Sequence, residues 1–138
     1  MNTTNSYKPI KNPYMKIVTI YLRSVEQKER KRLAMFDSNR KGDIDNLTTE
    51  VESGSAIIWK LDCYSGIKSI TKIYSKTGKR NVFKTDPRKQ LFFKGFTLQL
   101  SKDAEGEEAY AIEYILCDDT KVTIDPVIRV PPPPPVRG

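Results

Sequence analysis

The 138-residue chain contains no histidine. That removes the side chain most used as a general base near neutral pH, and with it the commonest metal ligand. Only two cysteines are present, Cys63 and Cys117. Two thiolates cannot complete the four-ligand shell of a structural zinc site, which excludes that class. The opening stretch MNTTNSYKPIKNPY has no apolar run that could act as a secretory signal. The cysteines are therefore expected as reduced core thiols of a cytoplasmic protein rather than as a disulfide. No apolar stretch reaches the ~20 residues of a membrane-spanning helix, so no membrane is expected among the partners. The seven glycines form no phosphate-cradling loop. Serine and threonine lack their usual activating base, and the standard catalytic constellations are missing. The expectation is a protein that is not an enzyme, with no catalytic residues, no metal and no cofactor.

What is present suits one soluble domain. The length matches the commonest domain size, and 38% hydrophobic with 30% charged residues is an ordinary globular composition. The net charge of +7 is unevenly placed: residues 1–101 hold 20 Lys and Arg against 9 Asp and Glu, giving +11, and residues 102–138 hold 4 against 8, giving −4. An acidic protein surface or a polyanion is the natural partner for the first part, set against simple solubility.

Residues 1–13, with Pro9 and Pro13, read as an irregular N-terminal arm, and residues 14–130 as the folded domain. In YMKIVTIYLRSV, Val18, Ile20 and Leu22 alternate with Thr19, Tyr21 and Arg23, which marks a half-buried strand. EQKERKRL, residues 26–33, has helix-forming composition but few apolar positions, so it reads as a short helical turn or a charged edge. SAIIWKLD puts Ile57, Trp59 and Leu61 on one face, and IKSITKIYSK spaces its isoleucines by three, which calls for a bulge or a helical turn. NVFKTDPRKQ reads as a short strand ended by Pro87. Phe96, Leu98 and Leu100 share a side in FKGFTLQLS, as do Tyr110, Ile112, Tyr114 and Leu116 in EAYAIEYILC, with the hairpin-like SKDAEGEE between them. CDDTKVTIDPVIRV adds a tight turn formed by Asp118 and Asp119, then Val122 and Ile124, with Pro126 arguing for an edge strand. Runs this short with no helices between them predict an all-β fold, a single antiparallel β-sandwich or barrel of about seven to eight strands. The immunoglobulin hallmark fails: Trp59 precedes Cys63, and Ile115 stands two residues before Cys117.

FDSNRKGDID partly matches a calcium-binding loop over residues 37–48, with Asp37, Asn39, Gly42, Asp43, Ile44 and Asp45 in template positions. Lys41 puts an ammonium where a ligand oxygen belongs, and Thr48 cannot supply the closing bidentate carboxylate. A polar connection between strands is the favoured reading, with calcium a minor alternative. The segment KTGKRNVFKTDPRKQLFFKGF, residues 76–96, interleaves seven cations with Phe83, Phe92, Phe93 and Phe96. Such a mixture can neutralise phosphates and stack on bases, which makes nucleic acid an alternative partner. A groove would require the second basic group, Arg30, Lys31, Arg32, Arg40 and Lys41, to lie on the same face.

The C-terminus, VIRVPPPPPVRG, makes residues 131–138 a proline-rich tail whose five prolines favour a stiff polyproline conformation suited to an aromatic-lined groove. The leading expectation is a non-catalytic protein-interaction module that presents a basic face and this tail to partner proteins. The expected contact residues are Tyr7, Tyr14, Lys79, Arg80, Arg88, Lys89, Pro131, Pro132, Pro133, Pro134 and Pro135.

Overall fold

The runs that alternate with a two-residue period all form strands in the computed structural model, which describes residues 16–27, 30–36, 47–62, 64–78, 81–91 and 94–132. The strands are β1 (Ile17–Gln27), β2 (Arg30–Phe36), β3 (Thr48–Glu50), β4 (Ala56–Leu61), β5 (Ile67–Ser75), β6 (Arg88–Lys89), β7 (Gly95–Gln99), β8 (Gly106–Leu116), β9 (Lys121–Ile124) and β10 (Val127–Val130). No described residue is helical. The first sheet has the order β2-β1-β4-β7-β6, and the second β3-β10-β8-β5 with β9 also on β8. The two sheets pack over one interior.

That interior follows from strand geometry, because alternate side chains point to opposite faces. Ile20 and Leu22 of β1, Ile57 and Trp59 of β4, and Phe96 and Leu98 of β7 enter it from the first sheet. From the second come Ile70 and Ile73 of β5, Tyr110, Ile112, Tyr114 and Leu116 of β8, and Ile128 and Val130 of β10. An aromatic cluster joins the layers. The Trp59 ring lies edge-on to Tyr110 at 5.8 Å between centroids and to Phe83 at 6.2 Å, and its indole N–H donates to the Tyr110 hydroxyl at 3.2 Å. Both polar tips are thus satisfied in an otherwise apolar layer.

Several expectations need correction. The sheets are mixed, not wholly antiparallel: β1 pairs parallel with β4, and β3 parallel with β10. The chain visits the second sheet as β3 between β1–β2 and β4, and so re-enters the first sheet running in the direction of β1. The described residues form ten strands where seven or eight were expected: the segment read as a helical turn or a charged edge supplies edge strand β2, residues 48–50 add β3, and the C-terminal run is split. Asp125 and Pro126 divide it into β9 and β10, and both lie along the same side of β8. Pro126 is not at an edge, since β10 is flanked by β8 and β3 and the Pro126 carbonyl accepts from Tyr110 N–H at 3.0 Å. SKDAEGEE is not a hairpin turn: β7 and β8 belong to different sheets, and the loop crosses between them. The spacing anomaly in β5 is a bulge, with register shifts between Ile67 and Ser69 and between Ile70 and Lys72.

The stretch expected as a strand before Pro87 is instead an inward-folded loop, and β6 begins after the proline. Its anchor is Glu108, which occupies a core-facing position of β8 and is only 1% exposed. One carboxylate oxygen accepts from the backbone N–H groups of Val82 and Phe83, both at 2.8 Å, and the other from the Ser75 hydroxyl. Those amides are therefore committed to a side chain rather than to a ladder. Val82 and Phe83 are fully buried as a result, and a buried carboxylate receives the partners it requires. Cys117 is exposed, not a core thiol: Leu116 is the last inward position of β8, and the chain turns away after it. Cys63 lies outside the described residues.

Candidate interaction site

The outward positions of the first sheet are the complement of its core positions. Row by row they read Ile17, Ala56 and Gln99; then Thr19, Ile58, Thr97 and Arg88; then Phe36, Tyr21 and Lys60. The middle of this face is apolar and only half-buried at Tyr21, Phe36, Ala56 and Ile58, while Ile17 is 60% exposed. Among the described side chains its charged strand positions are the cations Arg23, Lys60 and Arg88. A carboxylate, Asp62 just beyond β4, stands 3.6 Å from Arg23.

At one end of the face a cleft of about 340 Å³ opens between β4, β6 and β7, lined by Ala56, Thr85, Arg88, Thr97, Leu98 and Gln99. The Thr97 hydroxyl donates to the Ile57 carbonyl at 3.1 Å. The Gln99 side-chain N–H₂ group donates to the carbonyls of Gly54 at 2.8 Å and Leu100 at 3.3 Å. Arg88 makes no ion pair among the described residues.

The outward face of the second sheet is built otherwise. Arg129 on β10 stands 3.4 Å from Glu50 and 3.8 Å from Glu107, on the strands to either side. Lys68 meets Asp119 at 2.7 Å and Lys76 meets Asp125 at 3.0 Å. Tyr74 donates to Glu113 at 2.9 Å beneath the Lys72 ammonium, which lies 4.7 Å from its ring centroid. The hydrogen bond and charge of Asp119 push the Lys68 pKa up, and the hydrogen bond to Glu113 pushes the Tyr74 hydroxyl up. At the crossing between the sheets, Asp103 is held below the usual carboxylate range, first by the Ser101 hydroxyl and then by the Lys84 charge. Cations near the second sheet are thus largely answered from within.

The expected contact residues are only partly brought together. Arg88 and Lys89 are exposed on edge strand β6, but as consecutive strand residues they point to opposite faces: Arg88 pairs with outward Thr97 and Lys89 with core-facing Phe96. Pro131 and Pro132 are exposed and leave from β10 of the second sheet. Tyr7, Tyr14, Lys79, Arg80, Pro133, Pro134 and Pro135 lie outside the described residues, as does the calcium-like loop apart from Leu47 and Thr48, the latter opening β3.

Base stacking by the 76–96 segment loses Phe83 and Phe96, both buried in the core; Phe92 and Phe93 lie outside the described residues. The described parts of the two basic groups do not adjoin, for β2, which carries residues 30–32, and β6, which carries Arg88 and Lys89, are opposite edges of the first sheet, four strand spacings or roughly 19 Å apart. Among the described residues, no three carboxylate or thiol groups gather in a way that could hold a metal ion, and no helix is long and apolar enough to cross a membrane. Reasoning from sequence missed Ile58, Lys60, Thr97 and Gln99 as surface partners. The signal was available, since each stands in the opposite phase to a core residue.

No protein-family model matches the chain, and no curated protein does. The reading of this face therefore rests on its geometry and chemistry.

Proposed function

We propose that the protein is a non-catalytic interaction module that docks an acidic partner protein on the outward face of its first sheet, with the proline tail as a second, separate contact. One observation carries the reading: this face has an apolar, half-buried middle and a cationic border, and among its described side chains the strand positions bear no carboxylate. An apolar patch inside a polar rim is the usual anatomy of a protein interface. Base recognition would instead favour a cationic groove lined by exposed aromatic rings. The basic border steers an acidic partner toward the face and suppresses basic ones.

The test sets two polyanions side by side. The immobilised full chain is challenged with poly-L-glutamate and with a single-stranded oligonucleotide. Retention of the polyglutamate is expected, together with its release from a Lys60→Glu, Arg88→Glu double variant. A chain ending at Val130 is expected to retain it undiminished, since the tail departs from the other sheet. Retention of the oligonucleotide alone, falling steeply with salt, would overturn the proposal in favour of nucleic-acid binding through residues 76–96.

A further inference from the structure

Resting on that reading, the geometry points to the cleft at Arg88 as the specificity pocket of the face, built to take a glutamate or aspartate residue of an extended partner segment. The hydrogen-bond inventory of the lining decides what fits. Both amide hydrogens of Gln99 are spent on the carbonyls of Gly54 and Leu100, so its side chain offers the cleft an acceptor only. The Thr97 hydroxyl hydrogen is likewise spent on Ile57, leaving oxygen lone pairs. On the donor side stand the Arg88 guanidinium and the Thr85 hydroxyl, neither of which has a partner among the described residues.

A ligand satisfying this set must bring a carboxylate to Arg88 and an N–H to the acceptors of Gln99 and Thr97, with aliphatic carbons between to cover Ala56, since the Leu98 side chain is turned into the interior. An acidic residue within a peptide has this composition: its side chain supplies the carboxylate and its backbone the N–H. A guanidinium can hold a carboxylate through two parallel hydrogen bonds, which selects a planar acid over a rounder anion. No carboxylate lines the cleft among the described residues, so the charge there is complementary to an acid. At about 340 Å³ the cleft has room for one acidic residue with its backbone and for part of a neighbouring residue. It opens directly onto the apolar row of Ile17 and Ala56 and the neighbouring Ile58, where the next residues of an extended segment can lie. That continuity argues for a peptide rather than a free small acid.

The experiment measures fluorescence anisotropy of three labelled peptides with the full chain: Ac-(Val-Glu)₃-NH₂, Ac-(Val-Asp)₃-NH₂ and the neutral Ac-(Val-Gln)₃-NH₂. The expected result is binding of the two acidic peptides, at least about tenfold weaker binding of the glutamine peptide, and a similar loss in Arg88→Gln, in keeping with removal of a charge-assisted hydrogen bond. Gln99→Leu, which removes the acceptor, is expected to weaken the acidic peptides by a few-fold. Circular dichroism of each variant confirms that it is folded.

Equal binding of all three peptides, or an Arg88→Gln variant as tight as the parent, overturns the assignment. Displacement of the peptide by sodium glutamate at the same concentration also overturns it, by making the cleft a small-acid site. The broader proposal fails separately. If Ile58→Asp abolishes peptide binding while Arg88→Gln does not, the face docks its partner but the cleft is not the carboxylate pocket. If Ile58→Asp has no effect either, the docking face itself is wrong.

Discussion

The two outward faces are made by the same rule, alternate side chains turned away from a shared interior, yet they handle charge in different ways. On the second sheet Arg129 is flanked by Glu50 and Glu107 and Lys68 by Asp119. On the first, Arg88 has no ion pair among the described residues, and apolar side chains fill the middle of the face. Exposed ion pairs add little to stability. The ladder on the second sheet is better understood as neutralising most of that surface, which leaves Arg88 at the cleft of the first sheet as a cation without a carboxylate among the described residues. The excess of positive charge in residues 1–101 tells less than its placement does. What matters is which cations have carboxylates within reach.

Both faces depend on the interior between them, so the largest predicted effect lies there. Removing the side chain in Glu108→Ala leaves the amides of Val82 and Phe83 and the Ser75 hydroxyl without their acceptor, at a cost of about 3 kcal/mol. Urea unfolding is the check. Glu108→Gln keeps an oxygen acceptor but presents hydrogens to donors, and about half of that loss is expected. A change below about 0.5 kcal/mol in Glu108→Ala would show that the 81–87 loop is held by the burial of Phe83 alone.

The next prediction separates the faces. Ile58→Asp places a carboxylate in the middle of the first face, and Thr123→Asp places one at an outward position of β9, opposite Glu113 on the second. Retention of polyglutamate should fall about tenfold in the first variant and stay unchanged in the second, with both still folded, because a buried like charge at an interface costs more than one at a solvated surface. Equal losses in the two variants would mean that net charge, not the face, governs binding.

Much of this was legible in the residues themselves. The inward phase of β1, β4, β7 and β8 is written in the alternation of Ile20 with Thr19, Trp59 with Ile58, Leu98 with Thr97 and Tyr110 with Ala111. The same phase places Glu108 inside, two residues before Tyr110, and could have identified it as a buried anchor. Sheet membership was not legible. Short strands with polar connections look alike in sequence, since pairing depends on where the chain crosses between layers, and so the parallel β1–β4 pair and the crossing at SKDAEGEE emerged only in three dimensions. The candidate site suffered most from this. Arg88 and Lys89 are adjacent in sequence and separate in space, whereas Arg88 and Ile58 share a row although they stand 30 positions apart in the chain.

The smallest effect expected is in alkali, and it comes from the interior rather than from either face. Burial pushes the Tyr114 hydroxyl up to about 12 and that of Tyr110 further still, against about 10 for a tyrosine in the unfolded chain. Between those values the unfolded chain has released the proton and the folded chain has kept it, so the unfolded state binds fewer protons and stability falls as pH rises. The contribution is whole below pH 10 and is lost between about 10 and about 12 for Tyr114. The Lys68–Asp119 pair on the second face runs in the same direction, because a lysine whose pKa is raised in the folded state loses its advantage as pH climbs through that value. The two sources separate by substitution. Tyr114→Phe removes an ionisable hydroxyl from the interior and should move the alkaline unfolding midpoint upward by about half a pH unit, with the ultraviolet signal of tyrosinate losing its latest component. Lys68→Met should leave the midpoint nearly where it was, since its ion pair is exposed and screened by salt. A midpoint that follows Lys68 and ignores Tyr114 would mean that the ladder on the second sheet holds the fold together, and would undo the distinction between a face that is merely neutralised and one that is left open for a partner.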